Sequence, residues 1–168
     1  MNKLNFGCGS KIFEGWTNVD IVNLKGVDKA FDFDIFPYPL KENTFDYVLI
    51  DGVLEHCIYP RKVLEELRRV CKNDAIIKIN VPYVNSRSAY YDLEHCHFFN
   101  RWTFTNLDKV HLRDTEENPE RRFEVIKNEA RPQRFLKWIP RPILNLLAVP
   151  FNSIFVDIDA EIKVIKTQ

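Results

Sequence analysis

Residues 45–81 constrain the fold more than any other stretch. Phe45-Asp-Tyr-Val-Leu-Ile50 is a nearly continuous apolar run, as expected of a central parallel strand, and Asp51-Gly52 end it. Pro60 to Cys71 then follows a helical period. Proline suits the first turn, and Val63, Leu64, Leu67, Val70 and Cys71 form one apolar stripe, with Glu65 and Arg69 able to pair on the wet face. Asn73-Asp74 turn the chain, and Ala75 to Val81 is the next strand, stopped by Pro82. Two strands joined through a crossover helix lie parallel in one sheet, so the chain folds around a parallel core.

The remaining elements extend that sheet. Lys3–Phe6 reads as a short buried strand entering the turn Gly7-Cys8-Gly9-Ser10, and Thr17–Ile21 reads as a second strand. Val27–Phe33 is a candidate third, after which Pro37 and Pro39 break regular structure. Phe123–Glu129 reads as a strand and Ile143–Val149 as a short helix between prolines. Ile154–Ile165 alternates, with Ile154, Val156, Ile158, Ala160, Ile162 and Val164 on one side, the pattern of a half-buried antiparallel strand. Parallel units with an antiparallel finish predict a Rossmann-like, doubly wound, mostly parallel α/β sheet. A chain of 168 residues suits one domain spanning 1–168, with inserts or caps at 83–110 and 130–153 near the acceptor side.

Composition excludes several classes. Basic and acidic residues balance at 24 each, so no global field draws the chain onto nucleic acid, and none is expected as a partner. The start of the chain lacks the pattern of a signal peptide and no apolar run is long enough to span a bilayer, so a cytoplasmic location is expected. Cys8, Cys57, Cys71 and Cys96 form no CxxC pair and read as reduced thiols.

The first turn carries the chemistry. Gly7 and Gly9 leave a bare backbone that a ligand's polar tail can approach, and in an open α/β sheet such a turn lies at the ligand crevice. Asp20 ends the next strand, where a carboxylate can accept hydrogen bonds from both hydroxyls of a ribose or stand as a solvated strand-end acid. Asp34 could accept from an adenine amino group or simply form a turn.

Five segments in one order carry a family resemblance: Leu-Asn-Phe-Gly-Cys-Gly at 4–9, Gly-Trp-Thr-Asn-Val-Asp at 15–20, Phe-Asp-Tyr-Val at 45–48, Val-Leu-Glu-His at 53–56 and Leu-Arg-Arg-Val at 67–70. Over roughly residues 3–100 the chain resembles the class I S-adenosylmethionine-dependent methyltransferases, in particular their small type 11-like branch. The resemblance implies that fold, truncated at the N-terminus, with S-adenosylmethionine as cofactor. It implies a cofactor site of Asn5, Gly7, Cys8, Gly9, Asp20, Ile21, Asp34, Ile35, Asp51 and Gly52, with the glycines at the methionine portion, Asp20 at the ribose, and Asp34 and Ile35 at adenine. Asn5 stands where the family usually has an acid, and Ser10 where it has a third glycine. Only ten residues separate Gly9 from Asp20, too few for the usual helix between the first two strands.

On the acceptor side, an imidazole near its ordinary pKa of about 6.5 can take a proton from an acceptor hydroxyl, so His97, His56 and Tyr83 are the candidate catalytic residues. His97 could equally anchor the insert. Glu94, His95, Cys96 and His97 are all potential metal ligands, but adjacent residues rarely converge on one ion and no second cluster has zinc spacing, so no metal is expected. Phe135–Phe151 mixes apolar and basic residues, as a sheet cover, a dimer contact or a peripheral membrane contact would. The expected activity is methyl transfer to a small-molecule or glycan- or lipid-linked acceptor. The competing readings are a non-catalytic binding or scaffold protein of the same fold, and a dinucleotide or nucleotide-sugar enzyme, against which the incomplete GxGxxG weighs.

Overall fold

A computed structural model describes residues 1–105, 107, 122–149 and 151–166; the rest of the 83–110 insert, and Pro150, lie outside the described residues. The seven strands among the described residues share one sheet. They are β1 (Lys3–Phe6), β2 (Thr17–Asp20), β3 (Lys29–Ala30), β4 (Phe45–Asp51), β5 (Cys71–Pro82), β6 (Phe123–Pro132) and β7 (Phe155–Val164), in the spatial order β3-β2-β1-β4-β5-β7-β6. β1 to β5 pair in parallel, and β7 runs antiparallel to both of its neighbours. The chain winds outward from β1 to β3, returns to the centre at β4, and winds the other way. β1 and β4 are therefore the switch point, the place where an open α/β sheet holds its ligand.

One face of the sheet carries the core. Leu4, Phe6, Val48, Ile50, Ile77, Ile79 and the β7 residues Ile158, Ala160, Ile162 and Val164 are fully buried on it. Helix α1 (Pro60–Val70) lays Val63, Leu64, Leu67 and Val70 into the same cluster, joined by Phe33, Tyr38 and Leu40 from the β3–β4 connection. Arg69 does not pair with Glu65. It turns to Glu66 at 2.9 Å and donates to the carbonyls of Tyr38 and Leu40, while Glu65 meets Arg61 and Arg122. The reason is geometric: those two carbonyls lie within the guanidinium's reach, and only the i, i+3 carboxylate can share it there.

The opposite face is polar. Residues 7–16 and 21–28 join the first three strands in turns, and helices that would cover this face in a doubly wound sheet do not fit in them. Trp16 packs edge-on over Tyr47 at 5.6 Å, with the Lys3 ammonium over its ring. Farther along, Asn80 bonds Asp159 at 2.7 Å and Lys163 meets Glu124 at 2.5 Å, cross-strand pairs on a wet surface.

Several boundaries differ from expectation. β3 shrinks to two residues, because Asp32 accepts from Asp34 N–H and bends the chain away. β5 begins at Cys71, directly after α1, and Asp74 takes a positive φ of 61° where the ladder shifts register. β6 runs on to Pro132, and α4 starts earlier than predicted, at Arg141, and ends at Leu147. The alternation of the last strand breaks at its start: Phe155, rather than Ile154 or Val156, is buried. A bulge between Arg131 and Pro132 shifts the register there. Within 83–110, α2 (Arg87–Tyr91) and α3 (Arg101–Thr105) flank a loop, and Tyr83 bridges to Phe99.

Candidate functional site

The glycine turn leaves β1 at its carboxyl end. Gly7 takes φ 73° and Gly9 φ 49°, left-handed conformations that favour glycine. A Cβ on Gly7 would meet Val53 Cγ2 at 2.2 Å, whereas a Cβ on Gly9 would have no atom within 4 Å. Gly7 thus serves packing against the β4 loop, and Gly9 faces open space.

Asp20 reaches across to this turn. One carboxylate oxygen accepts from Gly9 N–H at 2.7 Å and the other from Val22 N–H at 3.0 Å. The residue is 9% exposed. Each oxygen keeps a second lone pair for a further donor. Asn5 is buried beneath, its amide donating to the Lys11 carbonyl at 2.7 Å and to Asn18 Oδ1 at 3.0 Å. Its role in this fold is to hold the turn's return path. Cys8 is buried; desolvation, then the nearby Asp20 charge, raises its thiol pKa. Lys11 spans from the turn to Asp51 on β4 at 2.8 Å, which raises the pKa of its ammonium.

Asp34 is likewise engaged. Its two oxygens accept from Ile58 and Tyr59 N–H, each at 3.0 Å, just ahead of α1. Ile21 and Ile35, beside the two acids, are exposed apolar side chains. Exposed Asp51 and Gly52 close the β4 side. The structure therefore bonds Gly9 to Asp20, and Lys11 of the same turn takes a bond from Asn5 at its carbonyl and reaches Asp51 with its ammonium. The structure ties Asp34 to the opposite end of the β4 loop.

The acceptor-side candidates separate. His97 Nε2 lies 3.2 Å from the Ile58 carbonyl, an anchoring contact. Tyr83 packs on Phe155 at 5.5 Å and lines a cleft of about 430 Å³ with Trp102, Asn128 and Arg141, which none of Gly7, Gly9 and Asp20 lines. His56 instead meets His95, ring centroids 4.6 Å apart and edge-to-face, beside the buried Glu55. Burial pushes the Glu55 carboxyl up to about 7, against its own backbone hydrogen bond and the pull of His95. Sequence reasoning passed over Glu55 and His95 as partners because 39 residues of chain lie between them; the signal was the Glu-His pair occurring twice, at 55–56 and 94–95.

The comparisons with known proteins agree with this architecture. A family model described as "Methyltransferase domain" matches residues 4–79, which hold the glycine turn, both acids, β4 and α1. Over those residues the chain is similar to that family, and its sheet has the class I methyltransferase fold. A methyltransferase from Archaeoglobus fulgidus, described as S-adenosylmethionine-dependent, superposes with a TM-score of 0.58 at 19% identity, over 95% of this chain and 85% of that one. A Burkholderia thailandensis 1,6-didemethyltoxoflavin-N1-methyltransferase, solved with S-adenosylhomocysteine, gives 0.59 at 13% identity over 98% of this chain and 71% of that one. The [4+2]-cyclase SpnF gives 0.64 at 12% identity over 99% and 75%, so the fold alone does not fix the reaction. Among curated sequences, an uncharacterized protein of Methanocaldococcus jannaschii is 38% identical over 96 residues, 51% of this chain; the chain spans about two fifths (41%) of that relative's length.

The donor chemistry of these residues suits S-adenosylmethionine, the cofactor named for similar structures. An open glycine position, a carboxylate with spare lone pairs and two exposed isoleucines provide a polar cradle beside apolar surface. No helix among the described residues is long and apolar enough to cross a membrane.

Proposed function

We propose that this chain binds S-adenosylmethionine at the carboxyl ends of β1, β2 and β4 and transfers its methyl group to a small-molecule or glycan- or lipid-linked acceptor. The observation that carries the reading is the 2.7 Å bond between Gly9 N–H and Asp20. It puts a bare backbone bend and an acid from the neighbouring strand at one point of the switch crevice.

When bound, the cofactor supplies an electrophilic methyl carbon on a sulfonium. The chain's own work is to bind and orient. Asp20 would take the ribose hydroxyls on its remaining lone pairs while its present bonds hold the turn. Gly9 would admit the methionine portion, with Asn5 and Cys8 supporting the turn from below. Ile21 and Ile35 would flank adenine with Asp34 at its edge, and Asp51 and Gly52 would close the far side. Much of the rate in methyl transfer can come from alignment of the acceptor behind the S–CH3 bond, with a base helpful but not required. His56, on the loop after β4 that borders the crevice, would face the acceptor side, with His97 anchoring the neighbouring loop and Tyr83 lining the separate cleft beyond it.

Titration calorimetry with S-adenosylhomocysteine tests the first step. Binding in the micromolar range is expected, weakened at least about tenfold in Asp20→Asn, which presents an amide where an acid now accepts two N–H groups. No binding at millimolar ligand would overturn the reading. A second reading, a non-catalytic scaffold of the same fold, draws on the fact that Asp20 and Asp34 each already accept two backbone bonds. Cofactor binding without turnover on a broad acceptor panel would favour it. For partners, we read the 135–151 surface as a peripheral contact with anionic membrane, which suits a lipid-linked acceptor.

A further inference from the structure

We infer that Glu55, His56 and His95 form a binding site for a divalent first-row transition-metal ion. One carboxylate oxygen and one ring nitrogen from each histidine all lie within 4.8 Å of one another. Three independent features support a ligand there. Glu55 is 3% exposed, and its Oε2 is buried without a hydrogen-bond partner, which is costly unless something completes it. His95 Nδ1 lies 3.0 Å from the Ala89 carbonyl; that carbonyl can only accept, so Nδ1 carries the proton and Nε2 keeps a free lone pair. Orientation of a histidine by an outer carbonyl is the usual support of a metal-binding imidazole. Finally, the Glu55 carbonyl accepts from Cys96 N–H at 2.8 Å and His97 N–H at 3.2 Å. Those bonds staple the 92–97 loop to the β4 loop and bring His95 to its partners.

Two imidazoles and one carboxylate suit Mn²⁺, Fe²⁺, Co²⁺ or Zn²⁺ rather than Ca²⁺ or Mg²⁺, and three protein ligands leave coordination positions open. The site borders the crevice: a Cβ on Gly52 would lie 3.7 Å from Glu55 Oε1, and Val53 packs on Gly7. Joined to the methyl-transfer reading, on which this step rests, the site selects hydroxyl acceptors. A hydroxyl at an open position would lose its proton to water. Its oxygen would form the O–CH3 bond as the S–CH3 bond breaks and sulfur keeps the electron pair.

The test uses the full chain, freed of metal by chelation, with Co²⁺ and Zn²⁺ alone and neither cofactor nor acceptor, so that it is independent of the methyl-transfer reading. Stoichiometric Co²⁺ uptake is expected, with visible d–d bands and no thiolate charge-transfer band, together with a rise in Tm on Zn²⁺ addition. Glu55→Gln and His95→Gln should each weaken uptake by more than about 100-fold, beyond the loss typical of outer-shell changes. Cys96→Ser should leave uptake unchanged. Absence of stoichiometric uptake by the wild type, uptake unaltered in His95→Gln, or a cobalt–thiolate band would each overturn the site. If Glu55→Gln fails to fold by circular dichroism, His95→Gln decides the matter, since His95 is only half-buried.

Discussion

The two glycines of the first turn do different work, and substitution separates them. Gly7→Ala drives a Cβ to 2.2 Å from Val53 Cγ2 at a positive φ, so a loss of about 2–4 kcal/mol is expected, read as a fall in the urea midpoint. Val53→Ala in the same chain should return part of it. Gly9→Ala meets no atom, so its stability loss should be only about 1 kcal/mol from backbone strain, while S-adenosylhomocysteine binding falls. The thiols make a second contrast. Burial pushes Cys57 and Cys71 up to about 12 and also raises Cys8, whereas Cys96 is exposed. Near pH 8, a thiol reagent should modify one cysteine quickly and the other three only on unfolding. At this scale the sequence was informative about residue types and poor about partners. Gly9 and Asp20 were legible because strand ends announce themselves. The engagement of Asp34 with residues 58–59, and of His56 with His95, depends on long-range loop paths that no local pattern encodes.

Among the elements, α1 is fixed to the β3–β4 connection by a clasp. Glu66 accepts from Tyr38 N–H at 3.0 Å and from Arg69, whose guanidinium also binds the Tyr38 and Leu40 carbonyls. Arg69→Ala should destabilise the fold by about 1–3 kcal/mol, because it strands a part-buried carboxylate and two carbonyls. Burial raises the Glu66 pKa, but the bonds from Arg69 and Tyr38 outweigh it, leaving the carboxyl below its ordinary range. A carboxyl depressed in the folded state contributes stability that is present above its unfolded value of about 4.3 and is lost as pH falls through the lower folded value. Glu66→Gln should therefore flatten the acid limb of the urea midpoint against pH, and an unchanged limb would refute the clasp's role. The clasp also marks where element-level reading succeeded and failed. The stripe Val63–Leu67–Val70 predicted α1 because period and burial coincide. The two-residue β3 was overpredicted, since Val27–Phe33 is apolar enough for a strand but is bent by Asp32. The bulge opposite Arg131 and Pro132 hid the burial of Phe155, because Val156 of β7 is an extra residue there and strict alternation does not foresee an inserted residue.

For the molecule as a whole, balanced charge conceals an asymmetry. Between residues 130 and 156 the chain carries Arg131, Arg134, Lys137 and Arg141 and no acid. Arg131 pairs with Asp157, and Arg141 lies over the Phe155 ring, while Arg134 and Lys137 are exposed among apolar side chains that are exposed too. Trp138 is 80% and Val149 81% exposed, with Phe135 and Leu146 similar. Large exposed apolar groups are unfavourable in water, and a basic setting disfavours a basic partner. Apolar side chains that enter the acyl boundary while cations meet anionic headgroups, each worth about 1 kcal/mol, satisfy both. Co-sedimentation should accordingly show retention on vesicles containing phosphatidylserine or phosphatidylglycerol, little on phosphatidylcholine alone, and release by salt. Trp138→Ser with Phe135→Ser should reduce retention at least about tenfold at unchanged Tm, because neither side chain is part of the core. Equal retention on neutral and anionic vesicles, or concentration-dependent self-association abolished by the same pair, would assign the surface to another occupant.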